Sequence, residues 1–113
     1  MRYRFGAFEY DTAAARLTRG DDVLTAQPIV LEALALFLGR PGELVRRDDL
    51  VEALWPGTHV TDNSLAQVIT RLRRTLGDER PHTYVETVRG LGYRFMAGVV
   101  EQMHTPAARP APA

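Results

Sequence analysis

Between Pro28 and Leu38 the apolar residues Ile29, Leu31, Leu34, Leu36, Phe37 and Leu38 recur at helical spacing, too densely for an exposed helix. Pro28 suits the first helical turn, where its missing N–H costs nothing, and Gly39-Arg40-Pro41-Gly42 stops the helix. A second helix is predicted from about Arg47 to Leu54, with Leu50, Val51 and Leu54 on one side. Asp48 and Asp49 fall in its first turn, where negative charge is favourable, and Trp55-Pro56-Gly57 ends it. The third helix has the clearest pattern. Leu65, Ile69, Leu72 and Leu76 form an i, i+4, i+7, i+11 stripe. Thr61 or Asp62 can cap its start, and Gly77 can supply the left-handed residue at its end. At about 100° per residue, Asn63, Gln67, Thr70, Arg71 and Arg74 gather opposite the stripe, while Arg73 lies nearer its flank.

Outside the helices the period changes to two. Residues 2–10 alternate aromatic and polar positions with Tyr3, Phe5 and Phe8 prominent, and Arg16–Arg19 and Asp22–Thr25 flank a Gly20-Asp21 turn, which predicts three short strands before the first helix. After a polar loop, Asp78–His82, the run Tyr84-Val-Glu-Thr-Val-Arg-Gly-Leu-Gly-Tyr-Arg-Phe95 predicts a β-hairpin whose turn holds two glycines and projects Arg89. Helices followed by a basic hairpin make an α+β, winged-helix architecture. The Ala/Pro-rich ending cannot build a core, so the expected division is a domain over residues 1–98 and a tail or linker start over 99–113.

At 113 residues the chain has room for one core. No apolar run approaches the roughly 20 residues that span a bilayer, and the N-terminus lacks a signal-peptide pattern, so a cytoplasmic domain without a membrane segment is expected. There is no cysteine, which excludes disulfides and thiolate metal sites. His59, His82 and His104 stand apart, without partners at ligand spacing. Ser64 has no base at plausible spacing for nucleophilic catalysis. Neither a cofactor nor an enzymatic activity is expected. The net charge is zero, which by itself speaks against nucleic acid, but it is uneven. Residues 1–60 hold seven arginines against nine acids, a balance of −2, and residues 61–113 hold seven against five, a balance of +2. All the basic residues are arginine, whose planar fork suits guanine edges and phosphates, although a codon bias toward arginine gives the same composition.

The third helix divides as a base-reading helix must, with one face anchored and the other bearing forks and amides. The major groove of B-DNA admits one helix. Arg71 could pair with guanine O6 and N7, and Gln67 with adenine N6 and N7. Asn63 and Ser64, near the helix N-terminus, could offer side-chain and backbone donors to a phosphate. Arg73 and Arg74 suit phosphates, which position without specifying. Arg89 suits a narrow minor groove. A solvated arginine face is the ordinary alternative for such a helix.

The segments Pro41-Gly42, Leu50-Val-Glu-Ala-Leu-Trp-Pro-Gly57, Val60-Thr-Asp-Asn-Ser-Leu65, Ile69-Thr-Arg-Leu-Arg-Arg-Thr-Leu-Gly-Asp78 and Tyr84–Phe95 together resemble the winged-helix DNA-binding domains of the OmpR/PhoB type, including the CadC/ToxR-like transcription regulators. The resemblance covers about residues 2–96. It implies a four-stranded N-terminal antiparallel sheet, three helices and a C-terminal hairpin wing, with a short strand near Glu43–Val45 joining the sheets. It also implies sequence-specific binding of double-stranded DNA. Gln67, Thr70 and Arg71 would read the major groove; Ser64, Arg73 and Arg74 would face phosphates. Arg89 would be the wing arginine, with Thr87 and Tyr93 as backbone contacts. The Trp55–Thr61 loop corresponds to a segment with which some members touch RNA polymerase. The isolated domain would be monomeric, with tandem copies possible on DNA. This chain departs from the pattern at Gln27 and Arg46, where better helix caps are usual, at Thr70, where many members carry a basic residue, and at Val68, where some carry histidine. Fewer phosphate contacts and a shallower salt dependence would follow. The 113 residues include no phosphoacceptor receiver domain, so phosphorylation-driven dimerisation is not assigned to this chain. Read from the residues alone, Trp55 and Tyr93 are core or sub-core positions. The competing functional class is a winged helix that docks a protein through the wing and the Trp55 loop, which the zero net charge favours.

Overall fold

The alternating N-terminal segment folds into strands β1 (Arg2–Phe5) and β2 (Phe8–Asp11), followed by β3 (Arg16–Arg19) and β4 (Asp22–Leu24), in a computed structural model that describes residues 2–78, 84–96 and 99–102. These four strands pair antiparallel in chain order. The two-residue Gly20-Asp21 connection works because Gly20 takes a φ of 61°. Alternation places Phe5, Phe8, Tyr10 and Leu17 inside and leaves Arg4 and Arg16 outside.

A fifth strand completes this sheet. Val99–Gln102 (β8) runs antiparallel to β1, with Phe5 opposite Val99 and Arg2 opposite Gln102. The expected boundary at residue 98 falls immediately before this strand. The edge of β1 left open by β2 offers unpaired backbone groups, and a Val-Val segment suits a pleated strand. The Ala/Pro-rich residues 103–113 lie outside the described residues.

The three helices follow their apolar periodicity: α1 (Pro28–Leu38), α2 (Arg47–Leu54) and α3 (Asp62–Leu76). Helix α1 buries Val30, Ala33, Leu34, Phe37 and Leu38, and α2 buries Leu50 and Leu54. Neither Gln27 nor Arg46 makes a side-chain cap. In contrast, α3 is closed at both ends. Thr61 Oγ1 accepts from the Ser64 N–H at 3.3 Å, and Gly77 is left-handed at φ 66°.

The hairpin is β6 (Val85–Val88) and β7 (Gly92–Phe95). The short strand expected between the first two helices is β5 (Leu44–Arg46), but it does not join the sheets. It pairs with β7 and makes a separate three-stranded sheet in the order β5-β7-β6. Side chains, rather than strand pairing, link the two sheets. Phe5 stacks on Phe8 at 5.4 Å and meets Phe95 edge-on at 5.3 Å, Tyr84 meets Phe8 at 5.4 Å, and Phe37 of α1 stacks over Phe95 at 6.3 Å. Such pairs add about 0.5–1.5 kcal/mol each beyond their burial. This cluster holds the hairpin against the N-terminal sheet and α1.

Asp78 is buried, although its sequence context is a polar loop. Its carboxylate accepts from the Tyr84 N–H at 3.2 Å and the Val85 N–H at 3.0 Å, so it fastens the first strand of the hairpin to the end of α3. Asp78→Ala strands two backbone donors, each worth about 1–3 kcal/mol when buried and unmet. We expect a loss of about 2 kcal/mol in urea denaturation, with Asp78→Asn recovering part of it.

Candidate nucleic-acid interface

Helix α3 supplies the main surface. Its inner face, Leu65, Val68, Ile69, Leu72 and Leu76, is buried, and that list adds Val68 to the stripe legible in the sequence. Asn63, Ala66, Gln67, Thr70, Arg71 and Arg74 are exposed. Going round the helix at about 100° per residue, Asn63, Gln67, Thr70 and Arg74 occupy the middle of the outward face. Arg71 and Arg73 fall on opposite flanks of it, and the structure gives them different partners.

On one flank, Arg71 Nη1 donates to Gln27 Oε1 at 2.8 Å, reaching the residue that precedes α1. Beside this bond lies an open cleft of about 350 Å³ lined by Thr25, Ala26, Gln27, Val30, Arg71, Arg74 and Thr75. On the other flank, Arg73 turns to the hairpin. Its Nε and Nη2 donate to the Val85 carbonyl at 3.2 and 2.9 Å, and Nη2 also donates to Thr87 Oγ1 at 2.8 Å. Arg73 and Thr87, both expected to face phosphates, are thus bonded to each other and tie α3 to β6. Arg73→Ala is expected to lower the stability of the domain by about 1–3 kcal/mol, since it removes charge-assisted bonds to a half-buried carbonyl. Arg74→Ala should leave stability within about 0.5 kcal/mol of the parent. Thermal melts of the two variants compare them directly.

At the helix start, the Ser64 N–H is already taken by Thr61, whose carbonyl and hydroxyl both accept from it. The Ser64 backbone donor expected there for a phosphate is therefore occupied, and the Ser64 hydroxyl also lies 3.4 Å from the Thr61 hydroxyl, which leaves Asn63 as the better placed of the two.

The hairpin turn spans Val88–Leu91, closed by a Leu91 N–H to Val88 carbonyl bond of 3.0 Å, with Gly90 at φ 78°. That is the position at which a type II turn needs glycine. Arg89, immediately before it, is exposed at the tip, and Leu91 beside it is 46% exposed. Gly92 has a different task. A Cβ there would overlap the Val45 carbonyl and come within 2.9 Å of Arg46 Cα, so its bare backbone lets β5 lie against β7. Tyr93 is half-buried against the core and pairs across the hairpin with Thr87. The wing is braced from below, where the Arg47 N–H of α2 donates to the Leu91 carbonyl at 3.1 Å.

Sequence reasoning missed Gln27, whose partner lies 44 positions away, and Asp78, whose burial no polar pattern reveals. Ala66 on α3 is exposed as well. Trp55 is partly buried on the core, while Pro56–His59 are exposed. Among the described residues no three His, Cys, Asp or Glu side chains group as metal ligands, and no helix is long and apolar enough to cross a membrane. His82 and His104 lie outside the described residues.

A three-helix core, a third helix exposing arginine and amide side chains, and a hairpin carrying a basic tip define a winged helix-turn-helix domain. The family described as "Transcriptional regulatory protein, C terminal" matches residues 21–95, and the chain belongs to it, the OmpR/PhoB-type DNA-binding domains of transcription regulators. It is similar to the transcriptional regulator HilA of Salmonella typhimurium, with 34% identity over 83% of this chain and 17% of HilA. It is also similar to the transcriptional activator CadC of Escherichia coli, with 30% identity over 86% of this chain and 19% of CadC. The chain thus spans under a fifth of the length of these relatives. In structure it resembles the DNA-binding domain of Escherichia coli CadC (TM-score 0.78, 30% identity, 88% of this chain and 94% of that one). It also resembles the Klebsiella pneumoniae RstA DNA-binding domain in complex with the RstA box (TM-score 0.76, 26% identity, 83% and 95%).

Proposed function

We propose that this chain binds double-stranded DNA sequence-specifically in the regulation of transcription, with α3 in the major groove and the wing in an adjoining minor groove. The observation that carries the reading is the division of α3. Five apolar side chains fix one face in the core, while Asn63, Gln67, Thr70 and Arg74 stand outward with Arg71 at their edge. In this arrangement Gln67 and Arg71 read base edges, Thr70 approaches them, and Asn63, Ser64 and Arg74 meet phosphates. Arg89 enters the minor groove, with Thr87 and Tyr93 close to the backbone there. Arg73 supports the surface by holding α3 to the hairpin. The likeness to the RstA domain solved with its DNA box supports the same reading.

Arg71→Ala is expected to cost about 1–3 kcal/mol on a duplex selected with this chain and to relax its specificity. Arg74→Ala should weaken all duplexes alike and flatten the salt slope by about one. Titrations against selected and scrambled duplexes at several salt concentrations measure both. Equal losses on the two duplexes for Arg71→Ala would remove its base-reading role.

Zero net charge and the exposed Pro56–His59 segment favour a second contact, in which the Trp55–Thr61 loop docks a protein such as RNA polymerase. Were protein docking the sole role, duplex affinity would barely respond to salt. On this proposal the domain works in the cytoplasm as a monomer that can occupy DNA sites in tandem.

A further inference from the structure

We propose that Gln27, which lies outside the DNA-reading helix, is a positioning residue for specificity because it presets the guanidinium of Arg71. The inference rests on the reading of α3 given above and extends it to a residue in the linker between β4 and α1.

Gln27 sits at the N-cap of α1, with an extended backbone (φ −65°, ψ 148°) and no side-chain cap. Side chains favoured at this position are short and fold back onto the helix's own amides. Here that task is lighter. Pro28 has no N–H to satisfy, and the Gln27 carbonyl accepts from both Val30 and Leu31 at 3.0 and 3.2 Å. The longer glutamine side chain instead crosses to α3 and meets Arg71 at 2.8 Å. The orientation of the amide follows from chemistry. A guanidinium only donates, so the atom facing it must be Oε1, which leaves the Gln27 amide N–H groups on the other side.

Among the described residues, this is the one hydrogen bond of the Arg71 guanidinium. It uses Nη1, and the Nε and Nη2 edge keeps the parallel pair of donors that a bidentate contact requires. A long side chain held at one point surrenders less freedom when it docks than one moving freely. Arg74 lines the same cleft and has no such tether among the described residues. The two arginines are therefore prepared differently, Arg71 aimed and Arg74 free, as base reading and phosphate contact respectively require. Since Gln27 is exposed and neutral, its removal should disturb neither the fold nor the count of phosphate contacts.

The test uses the full chain with a duplex recovered by selection and a scrambled duplex of the same composition. Gln27→Ala is expected to weaken the selected duplex about threefold to tenfold, the range set by immobilising one rotamer-rich side chain. The scrambled duplex and the salt slope should be unchanged, as should the melting temperature. In an Arg71→Ala background the same substitution should have no effect, and Gln27→Glu, which keeps an acceptor at the same reach, should retain the ratio of selected to scrambled affinity. Equal weakening on both duplexes, or an undiminished effect without Arg71, would overturn the proposal while leaving base reading by Arg71 in place. If Arg71→Ala itself costs no discrimination, the wider reading of α3 fails and this one fails with it.

Discussion

Gly92→Ala is expected to destabilise the domain by about 3 kcal/mol or more, the upper range for forcing an extra group into a packed interior. A methyl group at that position meets backbone on three sides: the Val45 carbonyl, Arg46 Cα at 2.9 Å and the Arg47 nitrogen at 3.0 Å. Backbone cannot rotate aside as a side chain can. Strand β5 would have to leave β7, breaking the Leu44–Arg94, Val45–Tyr93 and Arg46–Gly92 pairings and the Arg47 N–H to Leu91 carbonyl bond that braces the wing. Gly90→Ala provides the control. It has open space around it and carries the penalty of its left-handed φ, about 1–2 kcal/mol. Urea denaturation of both variants should rank Gly92→Ala well below Gly90→Ala in stability. The opposite order would mean that the turn, and not the β5–β7 contact, is the sensitive point of the wing.

The largest expected effect on binding comes from removing both arginines that line the cleft. Arg71→Ala with Arg74→Ala should weaken a selected duplex by on the order of 100-fold or more, from single costs of about 1–3 kcal/mol each. Neither side chain supports the core, so the melting temperature should hardly move. Arg73→Ala should do the reverse and cost stability first, because its guanidinium serves the Val85 carbonyl and Thr87. If Arg73→Ala instead abolished binding at unchanged stability, the division of roles among these three arginines would be wrong.

Periodicity explains why so much of α3 is legible in the sequence. Leu65, Ile69, Leu72 and Leu76 specify a buried stripe whatever surrounds it, and Thr61 and Gly77 are the residues that helix ends require. Local rules place Arg71 on the polar face and Arg73 nearer the flank of the apolar stripe, but name no partner for either. Their partners, Gln27 and the start of β6, come from tertiary packing and separate two similar side chains into different tasks. The wing shows the same limit. Two glycines near a turn imply freedom of φ, yet only Gly90 uses it; Gly92 answers to a neighbouring strand that no pattern within the hairpin reveals. Asp78 resembles any loop aspartate until two backbone amides are seen to need it. Strand β8 reads as part of the tail in the sequence because its partner lies at the opposite end of the chain, where no short-range turn signal points.

The absence of cysteine allows the central claim, α3 in the major groove and the wing in the minor groove, to be tested by placing a single thiol on each element. Ala66→Cys on the exposed side of α3 and Leu91→Cys at the wing tip would each carry a tethered iron chelate that cleaves bound DNA nearby. The stagger of the cleavage maxima on the two strands tells one groove from the other. The account predicts a major-groove pattern from position 66 and a minor-groove pattern from position 91, at neighbouring parts of one selected site. The same groove from both positions, the reverse assignment, or no localised cleavage from position 66 would contradict it.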